Sequence, residues 1–199
     1  MTATETLVSP FALRRWRFYF APNHSPNLFF VPRSLLIPPQ TVSRMIKRLA
    51  YEVLERNRGA QNVCVVGVWE RGARIAEEMA AYISQIEGVA LQAIPLDVNL
   101  FREPAQPAQA GVPAPTPNLD GQHVVLVDDV LFSGQTIRAA LDAIKALGNP
   151  ASVQLAVLID RGHRTWPIQP DYCGRFIPTK HQEQISVSME DEISVFLDE

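Results

Sequence analysis

The run Val124-Val125-Leu126-Val127-Asp128-Asp129-Val130-Leu131-Phe132-Ser133-Gly134-Gln135-Thr136 constrains this chain more than any other stretch. Its first four residues are uninterrupted apolar side chains, three of them β-branched. That composition predicts a strand buried on both faces, and so an interior strand of a sheet with cover above and below. Two carboxylates follow where such a strand would leave the sheet. A turn with Ser133, Gly134 and Thr136 comes next, then Ile137, Ala140, Leu141, Ile144 and Leu147 at helical spacing. A helix that opens after a small-residue turn presents unpaired N–H groups and the positive end of its dipole, a natural seat for phosphate. The hydroxyls of Ser133 and Thr136 can add hydrogen bonds. Asp128 and Asp129 would repel a phosphate, and suit hydroxyl groups or a cation at the other end of a phosphorylated sugar.

This arrangement resembles the phosphoribosyl-pyrophosphate (PRPP) loop of type I phosphoribosyltransferases. The resemblance implies that Asp128 and Asp129 hold the ribose 2′- and 3′-hydroxyls, while the loop through Thr136 holds the 5′-phosphate. Two other readings exist, a solvated strand end and a phosphorylated receiver domain. A receiver would carry its acidic pair after the first strand, whereas here the pair lies beyond the middle of the chain.

At 199 residues the chain suits one enzyme-sized domain with a substantial core. A hydrophobic content of 47% and a net charge of −3 exert no global pull toward nucleic acid, so RNA contact would need a local basic patch. The two cysteines, Cys64 and Cys173, are too few for a disulfide framework and suit a reducing cytoplasm. No apolar run approaches the ~18 residues of a membrane span.

Residues 1–33 read differently from the rest. They hold Arg14, Arg15, Arg17 and Arg33 against the single acid Glu5, with scattered aromatics and prolines and no lasting periodicity. A disordered arm, a basic arm touching RNA, and translated sequence upstream of the true start are the three readings. The domain is expected over 34–199. Pro38-Pro39-Gln40-Thr41 opens a helix whose apolar face is Val42, Met45, Ile46, Leu49, Ala50, Val53 and Leu54, with Gly59 as its stop. Arg44, Lys47, Arg48 and Tyr51 lie on the other face. Val63 to Val68 predicts a short buried strand, ending in Trp69-Glu70-Arg71-Gly72 before a helix from about Ala73 to Ile86. Leu91 to Phe101 predicts a strand closed by Arg102-Glu103-Pro104, and the Ala-Pro-Gln stretch 105–118 a lid. Closing it would exclude water from the reaction. Val153 to Ile159 is a further buried strand, leading into Asp160-Arg161-Gly162-His163-Arg164 at the end of the sheet where α/β folds bind ligands. A short alternating strand at Ile185 to Met189 follows. The tail from Glu183 has six acids and no Lys or Arg, unlike a nucleic-acid surface.

The order of elements predicts an α/β fold, a mainly parallel sheet flanked by helices on both faces, with a flexible lid or hood. The end of the chain is more specific. Leu158-Ile159-Asp160-Arg161-Gly162-His163-Arg164, Pro167-Ile168, Asp171-Tyr172, Gly174 and Ile177-Pro178-Thr179 closely resemble the bacterial PyrR family. So do Leu96-Asp97-Val98, Phe101-Arg102, Glu55-Arg56-Asn57 and Val130-Leu131-Phe132-Ser133-Gly134. This resemblance implies a uracil phosphoribosyltransferase that also binds the pyrimidine (pyr) operon leader mRNA, in a uridine-nucleotide-dependent way, to cause attenuation. It implies PRPP, uracil and UMP or UTP as ligands, a dimer or tetramer, and Mg²⁺ arriving with PRPP rather than held by protein side chains alone. Asp128, Asp129 and Arg71 are the expected catalytic residues. Glu70, Arg71, Gly72, Arg102, Val124 through Thr136, Arg161 and Gly162 are expected to line the PRPP and UMP site. Arg44, Lys47, Arg48, Arg164 and Arg175 are the expected RNA contacts. The chain departs from the family pattern at Glu70, where Thr is usual before Arg-Gly. It departs again at Gln169, where an arginine usually follows Pro-Ile, and at Tyr51, where histidine is common. An RNA-binding regulator with little catalysis, and a plain salvage enzyme without RNA binding, therefore stand as alternatives.

Overall fold

The structure is a computed structural model that describes residues 33–98 and 117–198. Its centre is β4 (His123–Leu131), and the reason lies in its side chains. Val125 and Val127 enter one hydrophobic core, Val124 and Leu126 another. A strand apolar on both faces must have cover on both, and five parallel strands in the order β3-β2-β4-β5-β6 supply the sheet. The partners are β2 (Val63–Val68), β3 (Ile94–Leu96), β5 (Ser152–Asp160) and β6 (Tyr172–Phe176).

Among the described residues, three helices cover this sheet. α1 (Pro39–Asn57) and α2 (Arg71–Glu87) pack on one face, α3 (Gln135–Leu147) on the other. α1 buries Val42, Met45, Ile46, Leu49, Ala50, Val53 and Leu54, the face expected from their spacing. Fully burying each of the larger of these contributes roughly 1.5–3 kcal/mol before entropy is counted. The helix ends at Asn57, two residues before the expected stop at Gly59. Arg58 takes the left-handed conformation at φ 58°, its N–H donating to Glu55 O, while Gly59 N–H reaches Leu54 O.

A second sheet, β1-β8-β7, is antiparallel: β1 (Arg33–Ile37), β7 (Gln184–Ser188) and β8 (Ser194–Asp198). Ile37, Ile185, Val187 and Val195 from this sheet join the core beneath α1 and α2. The α/β architecture with helices on both faces is therefore the one that forms.

Several boundaries differ from expectation. β4 runs through both carboxylates to Leu131, because β5 continues to pair with it as far as Asp160. β2 pairs only up to Val127, so the acids sit where one neighbour ends and the other persists. Of the strand expected over 91–101, the described part, 91–98, forms the three-residue β3, paired with β2 at Val66, Gly67 and Val68, and 99–101 lie outside the described residues. α2 starts at Arg71 rather than Ala73, and β5 extends through Asp160. Arg102 and the expected lid, apart from Pro117 and Asn118, lie outside the described residues, as do residues 1–32. Among the described residues no helix is long and apolar enough to cross a membrane.

Candidate active site

The connections from β2 and β4 leave in opposite directions along the sheet, β2 toward β3 and β4 toward β5. Between two such strands the loops part and leave a crevice at the carboxyl ends, the usual ligand position in open α/β sheets. The loop after β2 and the loop after β4 are the two expected anion sites.

The loop after β4 is built as its composition suggests. Gly134 adopts φ 89° at the head of α3, a conformation that L side chains rarely take. Gln135 N–H donates to Ser133 Oγ at 3.3 Å, so the hydroxyl already points toward the helix N-terminus. A cavity of about 420 Å³ opens here, lined by Asp128, Phe132, Ser133, Gly134, Gln135 and Thr136 among others. Asp128 is only 6% exposed, and Asp129 N–H donates to its Oδ1 at 2.9 Å. Val130 N–H donates to Asp129 Oδ1 at 2.8 Å. Each carboxylate is thus oriented by the amide of the next residue.

The loop after β2 meets this pair through Arg71, whose Nη1 lies 3.6 Å from Asp129 Oδ2. The guanidinium remains more than half exposed, so it can turn from the carboxylate to an incoming anion. Gly72 has a stronger reason than ligand access to be glycine. A Cβ there would stand 2.4 Å from Val127 O and 3.1 Å from Asp128 Cα. At Gly67 a Cβ would meet Ala73 Cα at 2.4 Å and Gly72 O at 2.6 Å. The N-terminus of α2 therefore rests main chain on main chain against β4, directly behind the acids. The peptide between Trp69 and Glu70 is cis. Glu70 is the exposed N-cap of α2, with no side-chain capping hydrogen bond.

The turn after β5 is tied to the phosphate loop. Thr165 and Trp166 N–H groups donate to Ser133 O at 3.1 and 3.0 Å. Arg164 binds Asp160 Oδ2 at 2.7 Å and donates to the carbonyls of Leu131, Phe132, Gly162 and Ile168. Gly162 takes φ 78°, its N–H donating to Asp160 Oδ1. Arg161 is 6% exposed and bonded to Thr179 and Glu183; burial pulls its guanidinium below the usual arginine range, with Glu183 acting in the opposite sense. Three cavity-lining residues were missed from sequence, Ile137, Arg138 and Trp166, the Arg138 guanidinium standing 5.2 Å from the Trp166 ring centroid. Arg138 was legible in principle, because it lies one helical turn after Gly134.

The expected RNA contacts divide. Arg44, Lys47 and Arg175 are exposed. Arg48 is exposed too, and it bonds Glu52 and donates to the carbonyls of Cys173 and Gly174, joining α1 to β6. Arg164 is an internal staple of the β5 turn, and its guanidinium is committed to the contacts described above.

The crevice, the glycine turn and the facing arginine define a class of protein. The family model described as phosphoribosyl transferase domain matches residues 39–190. The HGPRT-ase from Leishmania tarentolae in complex with GMP shares the fold at a TM-score of 0.64 and 17% identity, covering 84% of this chain and 97% of that one. The hypoxanthine phosphoribosyltransferase of Trypanosoma cruzi does so at 0.61 and 17%, covering 83% and 97%. Sequence kinship is nearer elsewhere. Bifunctional protein PyrR 1 of Lactiplantibacillus plantarum is 42% identical over 163 residues, 78% of this chain and 90% of the relative. Bifunctional protein PyrR of Deinococcus deserti is 42% identical over 163 residues, 79% of this chain and 88% of the relative. The chain belongs to the PyrR proteins of the phosphoribosyltransferase family.

Proposed function

We propose that the protein transfers the phosphoribosyl group of PRPP to uracil, yielding UMP and pyrophosphate. We propose also that it binds the pyr operon leader mRNA in a uridine-nucleotide-dependent way and so attenuates transcription. The observation that carries the transferase reading is the Asp128–Asp129 pair between the Gly134 turn and Arg71, with 3.6 Å separating Arg71 from Asp129.

In this reading the 5′-phosphate sits on the N–H groups opening α3, with Ser133 and Thr136 beside it. Asp128 and Asp129 accept hydrogen bonds from the ribose hydroxyls, and Arg71 leaves Asp129 for the pyrophosphate. The C1′–oxygen bond to pyrophosphate breaks, the leaving group takes the electron pair, and uracil N1 forms the new bond as its proton departs. Positive charge develops on the ribose in between, and fixed carboxylates close to it stabilise that charge without reorganising. Among the described residues no group of three His, Cys, Asp or Glu side chains forms a metal cage. Asp128 and Asp129 are the residues that would face an Mg²⁺ arriving with PRPP, and such an ion would offset the charge of the leaving group.

Exposed Glu70 beside the pyrophosphate loop favours the second reading, a regulator with little transferase activity. The PyrR resemblance also brings a dimer or tetramer, a cytoplasmic setting and no membrane; light scattering tests the first of these. UMP formation, measured beside binding to the organism's own pyr leader transcript, tests the whole. An active wild type supports the transferase. An inactive wild type with an active Glu70→Thr variant supports a regulator that has lost catalysis. Two inert proteins that still bind PRPP would overturn the transferase reading.

A further inference from the structure

Arg161 was expected to touch substrate, yet its side chain is spent inside the protein. The guanidinium lies over the Phe132 ring, 4.2 Å from the centroid. Its Nε–H donates to Thr179 Oγ1 at 3.0 Å, and an Nη2 hydrogen to Glu183 O at 2.8 Å. Its backbone N–H donates to Leu131 O at 3.1 Å. One residue thus joins the phosphate loop, the turn after β5, and the stretch 177–183 that leads to β7. His163 reinforces the last of these joints, its Nε2 bonded to Thr179 O at 2.6 Å and its ring 4.3 Å from that of His181. Only a guanidinium serves both needs, offering a flat face to the ring and in-plane donors to two acceptors. Arg161 does not line the cavity at the phosphate loop.

We propose that Arg161 is a positioning residue. It holds the 177–183 stretch in place as the wall of the base pocket, in register with the phosphate loop. The proposal rests on the transferase reading: with the leaving pyrophosphate at Arg71 on the β2 side of β4, the incoming base approaches C1′ from the β5 side, where the Asp160–Arg164 turn and the stretch it clasps stand. A pocket wall made largely of main chain recognises a base through the placement of its N–H and C=O groups. Loosening the wall therefore weakens base binding before it touches the sugar phosphate.

The test compares full-length wild type with Arg161→Met, Arg161→Lys and Phe132→Leu. Steady-state kinetics and hydrogen exchange of peptides covering 177–183 are read together. Arg161→Met loses two hydrogen bonds from a charged group, so KM for uracil is expected to rise about tenfold or more, with KM for PRPP within about twofold. Exchange over 177–183 should quicken in the same variant. Arg161→Lys keeps the charge over the ring but can reach only one acceptor, and should restore part of both effects. Phe132→Leu keeps both Arg161 hydrogen bonds while removing the ring beneath it, which also meets His163 edge-on, and its effect on KM for uracil and on exchange reads the same direction more weakly even if Arg161→Met does not fold. A matching rise in KM for PRPP would overturn the proposal by making Arg161 a phosphate contact. So would a raised KM for uracil with unchanged exchange, which would make it a base contact, or faster exchange with unchanged KM. A wild type that makes no UMP overturns the transferase reading instead; UMP-induced protection of 177–183, lost in Arg161→Met, then decides for the clasp, and protection that survives decides against it.

Discussion

Asp129 is the residue on which charge and geometry converge. It faces Arg71 across 3.6 Å, and the Val130 amide orients it. Asp129→Asn keeps the shape and removes the charge to which the proposed mechanism gives the task of stabilising the ribose cation. The loss should be roughly 2.7–4 kcal/mol of barrier, a fall in kcat of about 10²–10³-fold, checked by initial rates at saturating PRPP. Gly72→Ala is expected to act through packing. Its Cβ would stand 2.4 Å from Val127 O, a main-chain atom of a central strand that cannot give way cheaply. A loss of about 1–3 kcal/mol is expected, together with a sharp drop in activity because the displaced strand carries Asp128. A calorimetric scan alongside the UMP assay separates the two. At this scale the sequence was only half legible. The acidic pair and glycine turn announced themselves, since their chemistry is local. The tasks of Arg48, Arg161 and Arg164 did not, because a guanidinium in a sequence gives no sign of whether it faces solvent or another segment's carbonyls.

Among the elements, the helices and interior strands were readable where burial imposes a period. Each residue of α1's apolar face was visible at i, i+3, i+4 spacing. Of the sheet β1-β8-β7 only β7 was, from its alternation, because β1 and β8 pair across opposite ends of the chain and β8 is written in an acidic tail. A truncation that keeps Arg33 onward retains this pairing and should leave the melting temperature nearly unchanged. One that also removes β1 exposes the β8 edge and should lower it, by thermal unfolding followed in circular dichroism. The joint between α1, β5 and β6 is polar: Asn57 and Gln154 exchange hydrogen bonds, and Tyr172 O–H donates to Gln154 Oε1. Burial holds the Tyr172 phenol above its ordinary value of 10.0, outweighing Arg56, which pulls the other way. A raised native value means that the native state holds its proton more tightly than the unfolded chain. The resulting stability is complete below about pH 10 and is lost as pH climbs through the native value. Tyr172→Phe should cost about 1 kcal/mol at neutral pH and flatten this alkaline decline, as urea melts across pH would record.

The whole molecule carries a net charge of −3, so any RNA surface must be a local gathering of cations. Arg44, Lys47, Arg48 and Arg175 are the exposed candidates, Arg48 also joining α1 to β6, while Arg164 is half-buried and holds the protein's own segments together. Specific, UMP-enhanced binding to a pyr leader hairpin is expected, weakening steadily with added salt. Arg44→Ala with Arg175→Ala should lower RNA affinity and flatten the salt slope by about one unit per lost phosphate contact, with UMP synthesis largely intact. Gel-shift titrations at several salt concentrations measure both. Equal affinity for unrelated hairpins would reduce the surface to a charged patch.

The contact of Gly72 with Val127 and Asp128 works as a ruler. It fixes the separation of the two anion loops by main chain touching main chain, with no side chain in the gap whose exchange could lengthen or shorten it. A protein built this way is committed to one span between the ends of its sugar substrate. What it can vary is the acceptor, because the wall proposed for it, from Asp160 to Glu183, is fastened by side chains such as Arg161 and Arg164 that single mutations can replace. New base preferences in such a scaffold should therefore arise from changes on that side, while the ruler stays fixed.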